Sequence, residues 1–162
     1  MIRTVADIQY RFLDRMRHSE AFEAARREGT ASDFESLRAA RQCLLVSFKR
    51  SGDPVPTPVN FGLSDEGRLY FRSEPRSAKV RRMRRDPHVR VCACDMRGKP
   101  RGPLAEGSAR VLPPSESERA DSIVASNWNA PMKVLERGLD RLPLELVYVE
   151  VTPAGKRPKE ST

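Results

Sequence analysis

The sequence predicts a mainly β protein with flanking helices, built as an antiparallel barrel that is closed or split. Three observations carry this. Short apolar stretches, several of them strictly alternating, recur along the chain. Turn signals of hairpin length separate most of them, which favours antiparallel pairing over a parallel sheet. The 162 residues suffice for one domain with a real core and are too few for two ordinary ones.

Taken in order, residues 1–31 read as a helical extension. Val5, Ile8, Phe12 and Met16, with Phe22 and Ala25 beyond, recur at helical spacing until Gly29. Such a stripe suits a helix packed across the outside of the domain, or else a lid or a dimer-packing arm. Ser32 and Glu35 fit a capping box that opens a short helix, FESLRAAR. QCLLVSFK is a strand, turned by Gly52 and Asp53-Pro54. In the next strand Val55, Thr57, Val59, Phe61 and Leu63 share one face, while Pro56, Pro58, Asn60 and Gly62 share the other. Its prolines lack N–H donors, which places at least part of it at an edge, a bulge or an opening. SDEGR turns into the strand RLYFRS. A loop and a short helix follow, ending at Asp86-Pro87, with Val80 and Met83 toward the core. His88–Asp95 is a strand with Val89, Val91 and Ala93 inward, and LAEGSARVL returns from the loop MRGKPRGP. PPSESERADSIVASN and APMKVLERGLDRL are helices, and LELVYVEV is the last strand. The barrel domain therefore runs over 32–153, and 154–162 form a flexible polar tail.

Hydrophobic residues make up 38% of the chain and charged ones 32%, so a second subunit or exposed tails should complete the balance. No apolar run approaches membrane-spanning length, and no hydrophobic leader follows Arg3. The expectation is a soluble, cytoplasmic protein without a cleaved signal. Cys92 and Cys94 form C-x-C on one strand face, with Cα atoms about 6–7 Å apart. Only His18 and His88 could add imidazole ligands, so the three cysteines read as free thiols and no metal is assigned.

The net charge is +8, and +6 of it lies between Arg72 and Arg90. Arg72, Arg76, Lys79, Arg81, Arg82, Arg84, Arg85 and Arg90 stand there against Glu74 and Asp86. A positive loop at a strand end, followed by a helix N-terminus, is a place to hold a polyanion. The cluster has no interleaved aromatics, zinc-finger spacing or helix-turn-helix pattern to mark a nucleic-acid binder.

LLVSFKRSGDPVPTPVNFGL, LYFRSEPRSAKVRRMRRDPHVRV, RGKPRGPLAEGSARV and LELVYVEVTP together resemble the pyridoxamine 5′-phosphate oxidase-like superfamily, the flavin- and deazaflavin-binding split β-barrels. The second phrase is most similar to the branch that uses the deazaflavin coenzyme F-420. The resemblance implies an antiparallel six-stranded split barrel that binds its coenzyme between the two subunits of a homodimer. It further implies that Lys79 contacts the coenzyme phosphate while Arg72 and Ser73 shape the pocket. Ser77 offers a hydroxyl at the helix start, and Arg76 and Arg82, with Arg85, suit the anionic tail of coenzyme F-420. The ring would lie on Pro58, Val59 and Asn60, where relatives often have an aromatic in place of Asn60. Trp128, in a turn that departs from the K-Y-G-like pattern of relatives, would fill a neighbouring pocket or anchor a core or interface.

The activity so implied is hydride transfer between reduced coenzyme F-420 and a small organic substrate, with no catalytic side chain named. An FMN-binding oxidase or flavin reductase of the same fold is the alternative, and a non-catalytic coenzyme-binding protein is another. Expected partners are a second copy and the small-molecule substrate, with no nucleic acid and no membrane.

Overall fold

The computed structural model describes residues 19–143 and 145–155. The stripe Val5, Ile8, Phe12 and Met16 and the tail over 156–162 fall outside the described residues. Seven strands form one sheet: β1 (Gln42–Phe48), β2 (Pro54–Asn60), β3 (Gly62–Leu63), β4 (Leu69–Ser73), β5 (His88–Cys94), β6 (Ala105–Val111) and β7 (Val147–Pro153). Among the described residues the α-helices are α1 (Ser19–Ala25), α2 (Ala78–Arg85), α3 (Ser117–Ser126) and α4 (Ala130–Leu139). None is long and apolar enough to cross a membrane.

The strands pair antiparallel, in the order β2-β1-β5-β6-β7-β4-β3, and one isolated parallel bridge joins Ala31 to Ala105. The two edge strands, β2 and β3, are consecutive pieces of one extended segment separated only by Phe61. The chain itself thus links the two edges, and the sheet curls into a split barrel. Seven strands stand where six were expected because this segment breaks in two. Its sequence explains the break. Pro54, Pro56 and Pro58 lie opposite Phe48, Val46 and Leu44 of β1, and prolines cannot serve a second neighbour with N–H donors. At Gly62 the backbone of α3 comes so close that a Cβ would sit 2.1 Å from the Ile123 carbonyl oxygen.

The alternation sorts side chains between the barrel interior and two outer layers. Cys43, Leu45, Leu69, Phe71, Val89, Val91, Ala93, Ala105, Ala109, Val149 and Val151 fill the interior with Phe34, Leu37 and Phe61. Val80 and Met83 of α2 join that cluster and close the barrel at one end. On the outside Leu44, Val46, Cys92 and Cys94 lie under Ala21, Ala24 and Ala25 of α1. That is why QCLLVSF reads as an unbroken apolar run: β1 is covered on both faces. Tyr70, Tyr148 and Leu112 lie under Ala120 and Val124 of α3, with Trp128 beside them.

Two local expectations need correction. Ser32 and Glu35 build no capping box; Asp33 Oδ1 accepts from the Glu35 N–H at 3.1 Å, and only a 3₁₀ turn over Glu35–Leu37 forms. Aspartate two residues upstream competes for that donor. In α1 the buried face is Ala21, Ala24 and Ala25, whereas Phe22 is 45% exposed. Small residues let the helix lie close on the outer face of β2, β1 and β5, so the largest side chain is the one turned outward.

Candidate functional site

The chain leaves the barrel at Ser73, turns through Glu74, Pro75 and Arg76, and starts α2 at Ala78. The turn is closed by the Ser77 N–H donating to the Glu74 carbonyl at 3.1 Å. Ser77 is the N-cap, extended at φ −64° and ψ 151°, and its Oγ accepts from the Val80 N–H at 3.4 Å. The hydroxyls of Ser73 and Ser77 lie 3.0 Å apart. Lys79 stands in the first turn and is only 6% exposed. Two hydroxyls and helix N–H groups therefore gather where a strand end meets a helix start, with Lys79 in the helix's first turn. At the other end Arg82, Arg84 and Arg85 complement the helix dipole before Asp86 caps it.

The outer face of α2 is a second cationic element. Ala78, Arg81, Arg82 and Arg85 follow i, i+3, i+4, i+7 and line one side of a groove. Lys49 and Arg50 of the β1–β2 turn also line it, and its volume is about 360 Å³. Among the described residues five cations and no carboxylate line this groove. Two of the arginines are fixed to the barrel: Arg82 Nε donates to the buried Ser47 Oγ at 2.7 Å, and Arg85 donates to the Phe48 carbonyl at 2.5 Å. Such anchoring holds the charges in place before any ligand arrives.

The expected site residues fall into separate groups. Ser73 and Ser77 come together at the helix start, with Lys79 buried in the first turn and Arg76 exposed on the connecting turn. Arg82 belongs to the groove. Val59 packs toward the interior cluster. Pro58 and Asn60 lie on the opposite strand face, Pro58 beneath the Gly98 turn and Asn60 accepting from Gln42 Nε2 at 3.2 Å. Arg72 and Trp128 pair with each other: the guanidinium lies 5.0 Å from the indole centroid, and Arg137 lies at 5.2 Å.

Arg72 is bound to α4 through Glu136 and, at 2.8 Å, Asp140. Burial opposes its charge, yet the hydrogen bonds it donates to these two carboxylates hold its pKa above the ordinary arginine value. Burial likewise opposes the charge on Asp140, but Arg72 and Arg137 keep that carboxyl below its usual range. Trp128 is 5% exposed, and among the described residues its Nε1–H has no hydrogen-bond partner.

Sequence reasoning missed Ser47, Lys49 and Arg50, and the carboxylates that hold Arg72. A hydroxyl near the end of the apolar run CLLVSF, followed by Lys-Arg, was the available signal for the first three. Nothing in the spacing of Glu136 and Asp140 points across the fold to Arg72. The three cysteines are free and buried; burial pushes Cys92 to about 11 and Cys94 to about 12, which keeps both protonated and unreactive at neutral pH. Among the described residues no group of three potential ligands could hold a metal ion.

Comparison with known structures places this geometry. The conserved hypothetical protein Rv2991 of Mycobacterium tuberculosis is 18% identical at a TM-score of 0.56, over 79% of this chain and 86% of that one. A FAD-binding protein of Mesorhizobium loti is 25% identical at a TM-score of 0.53, over 74% and 84%. HutZ, the heme storage protein of Vibrio cholerae, is 14% identical at a TM-score of 0.55, over 76% and 87%. No curated protein matches the sequence. The family model described as pyridoxamine 5′-phosphate oxidase matches residues 31–151, nearly the whole barrel, and the chain belongs to that family.

Proposed function

We propose that the protein is a coenzyme F-420-dependent oxidoreductase acting as a homodimer on a small organic substrate. The observation that carries this reading is the five-cation groove running beside the Ser73–Ser77–Lys79 corner. One phosphate needs only the corner. A coenzyme with a phosphodiester and a glutamate tail has further negative charges, and the groove offers cations for them. The donors present therefore fit this coenzyme: Lys79, Ser73 and Ser77 toward the phosphate, Arg82 and its neighbours toward the tail, with Arg76 at the entrance.

Bound and reduced, the coenzyme would supply a hydride to an electron-poor double bond or carbonyl. The protein's part is placement, charge and exclusion of water. Pro58, Val59 and Asn60 form the strand against which the ring would rest, and its single pairing leaves backbone groups on the open edge. No side chain is assigned as a proton donor, so solvent supplies any proton.

FMN is the second reading, favoured by the FAD-binding protein of Mesorhizobium loti with the same fold. Coenzyme holding without turnover is a third, since the fold also serves a heme storage protein. Titrating purified protein with coenzyme F-420 and with FMN, followed by fluorescence, separates the first two. Coenzyme F-420 binds more tightly if the groove is used, and its affinity falls as ionic strength rises. Equal or tighter binding of FMN under the same conditions overturns the assignment.

A further inference from the structure

Residues 19–31 cross the outside of the barrel, and polar contacts at one carboxylate fasten their C-terminal end. Glu106 Oε1 accepts from the Gly29 N–H and from Arg90 Nε, both at 2.8 Å, and its Oε2 meets His88 Nε2. Arg90 also donates to the Arg27 carbonyl at 2.9 Å, and the Thr30 and Ala31 N–H groups share the Leu104 carbonyl at 2.8 and 2.9 Å. Gly29 sits so close that a Cβ would lie 2.7 Å from Glu106 Cγ and 2.8 Å from the Glu106 nitrogen. Ahead of this knot, the buried side chains of α1 are those of Ala21, Ala24 and Ala25. Three methyl groups bury little apolar area, and seven residues are too few for a helix to persist by itself. A segment with so thin a core sits at the low-stability end of a fold.

What lies beneath is a pair of thiols. Cys92 and Cys94 stand on the same outer face of β5, in the cluster that the three alanines cover. Cys43 belongs to the other side of the sheet, in the barrel interior. All three are buried. We propose that residues 19–31 form a strap that opens as a unit while the barrel stays closed, and that its opening turns Cys92 and Cys94 into a gated modification site for disulfide-bearing reagents. Burial is what holds both thiols protonated, so uncovering them restores ordinary thiol reactivity. An uncovered thiol gives its proton to solvent, and the thiolate attacks the reagent's disulfide. A mixed disulfide forms at Sγ, the reagent's own S–S bond breaks, and its second sulfur leaves as a thiolate.

The strap also backs the strand proposed to carry the coenzyme ring. A Cβ on Gly98 would lie 3.2 Å from Pro58 Cγ of β2 and 3.4 Å from Ala21 Cβ of α1, so strap, turn and strand meet there. Opening the strap uncovers the outer side of β2 and β5 while Cys43, Leu45 and their interior neighbours stay packed. The inference does not depend on which coenzyme binds, or on whether one does.

The test is the reaction of the native full chain with dithiodipyridine, an aromatic disulfide whose released thiol product is read by absorbance. Mass spectrometry identifies the modified residues. Cys92 and Cys94 should react together, ahead of Cys43. Gly29→Ala, which crowds the knot, should speed those two by roughly tenfold or more and leave Cys43 lagging. If that variant does not fold, Glu106→Gln supplies the lever, with the same order of reaction and a smaller acceleration. All three thiols reacting at one rate, whether in buffer or only in denaturant, overturns the proposal, because the strap would then open only with the barrel. Cys94 reacting while Cys92 stays protected overturns it too, since fraying at the strand end would explain that. Two fast thiols whose rate neither substitution changes would place the opening elsewhere than at Glu106, and the strap would be wrong.

Discussion

Replacing Arg72 by leucine keeps an apolar stem and removes the guanidinium that ties α4 to the barrel. The magnitude follows from how dry the cluster is. The Arg72 side chain is 11% exposed, Glu136 16% and Asp140 30%. Stripping one partner from a fully buried, hydrogen-bonded ion pair costs about 3–5 kcal/mol. Water reaches the carboxylates left behind here, which lowers the cost to roughly 2–3 kcal/mol. For a chain of this size that lowers the melting temperature by roughly 4–12 °C. Trp128 gives an independent readout, being the only tryptophan and stacked on Arg72. Its fluorescence should shift to the red as α4 loosens and water reaches the indole. Thermal denaturation and emission spectra of the wild type, Arg72→Leu and Arg72→Lys measure both effects. The lysine variant should fall between, since it keeps the charge but loses the fork that serves two carboxylates. A melting temperature within about 1 °C of wild type, with unchanged emission, would show that the cluster does not hold α4.

Three further outcomes are expected. Gly62→Ala should destabilise the fold by at least ~1–3 kcal/mol, seen as a lower denaturation midpoint, because its Cβ would meet the Ile123 carbonyl at 2.1 Å. Glu106 gives a pH dependence. Burial opposes its charge, but the Gly29 N–H, His88 and Arg90 hold its pKa below the ordinary 4.5. A depressed carboxyl contributes stability above its unfolded pKa and loses it as pH falls through the folded one. Glu106→Gln should therefore narrow the stability difference between pH 6 and the acid side of 4.5; an unchanged pH profile contradicts this. Ser47→Ala should reduce coenzyme affinity modestly by removing one anchor of Arg82, which donates to that hydroxyl at 2.7 Å. A binding titration unaltered by the substitution would remove the anchoring argument.

Much of the barrel was legible because its signals are local. Alternation placed Val89, Val91 and Ala93 inward, and Asp86-Pro87 marked the end of α2. The prolines of β2 indicated an edge, which the single pairing with β1 displays. Other features depend on contacts far apart in sequence. The β2 prolines account for only part of the break between β2 and β3; the rest comes from α3 pressing on Gly62, a contact no local pattern shows. The burial of Ala21, Ala24 and Ala25 in place of Phe22 depends on the surface of β1 and β5 beneath them. At the candidate site, Ser73 and Ser77 are close in sequence, and their hydroxyls lie 3.0 Å apart. Arg72 is bound by residues more than sixty positions away, and no periodicity carries that information.

In the proposed function the corner between β4 and α2 holds a coenzyme phosphate through Lys79. It is tested most directly by titrating coenzyme F-420 into wild type, Lys79→Ala and Arg84→Ala side by side. Lys79 is buried at the helix start, whereas Arg84 is exposed on the same helix. A charge-assisted hydrogen bond to phosphate is worth roughly 1.5–3 kcal/mol, or about 10- to 100-fold in affinity. An exposed cation contributes about 0–1 kcal/mol. Lys79→Ala should weaken binding at least about tenfold, and Arg84→Ala by less than about threefold. Equal losses in the two variants would mean that the basic stretch acts as a diffuse field, and the phosphate site at this corner would be wrong.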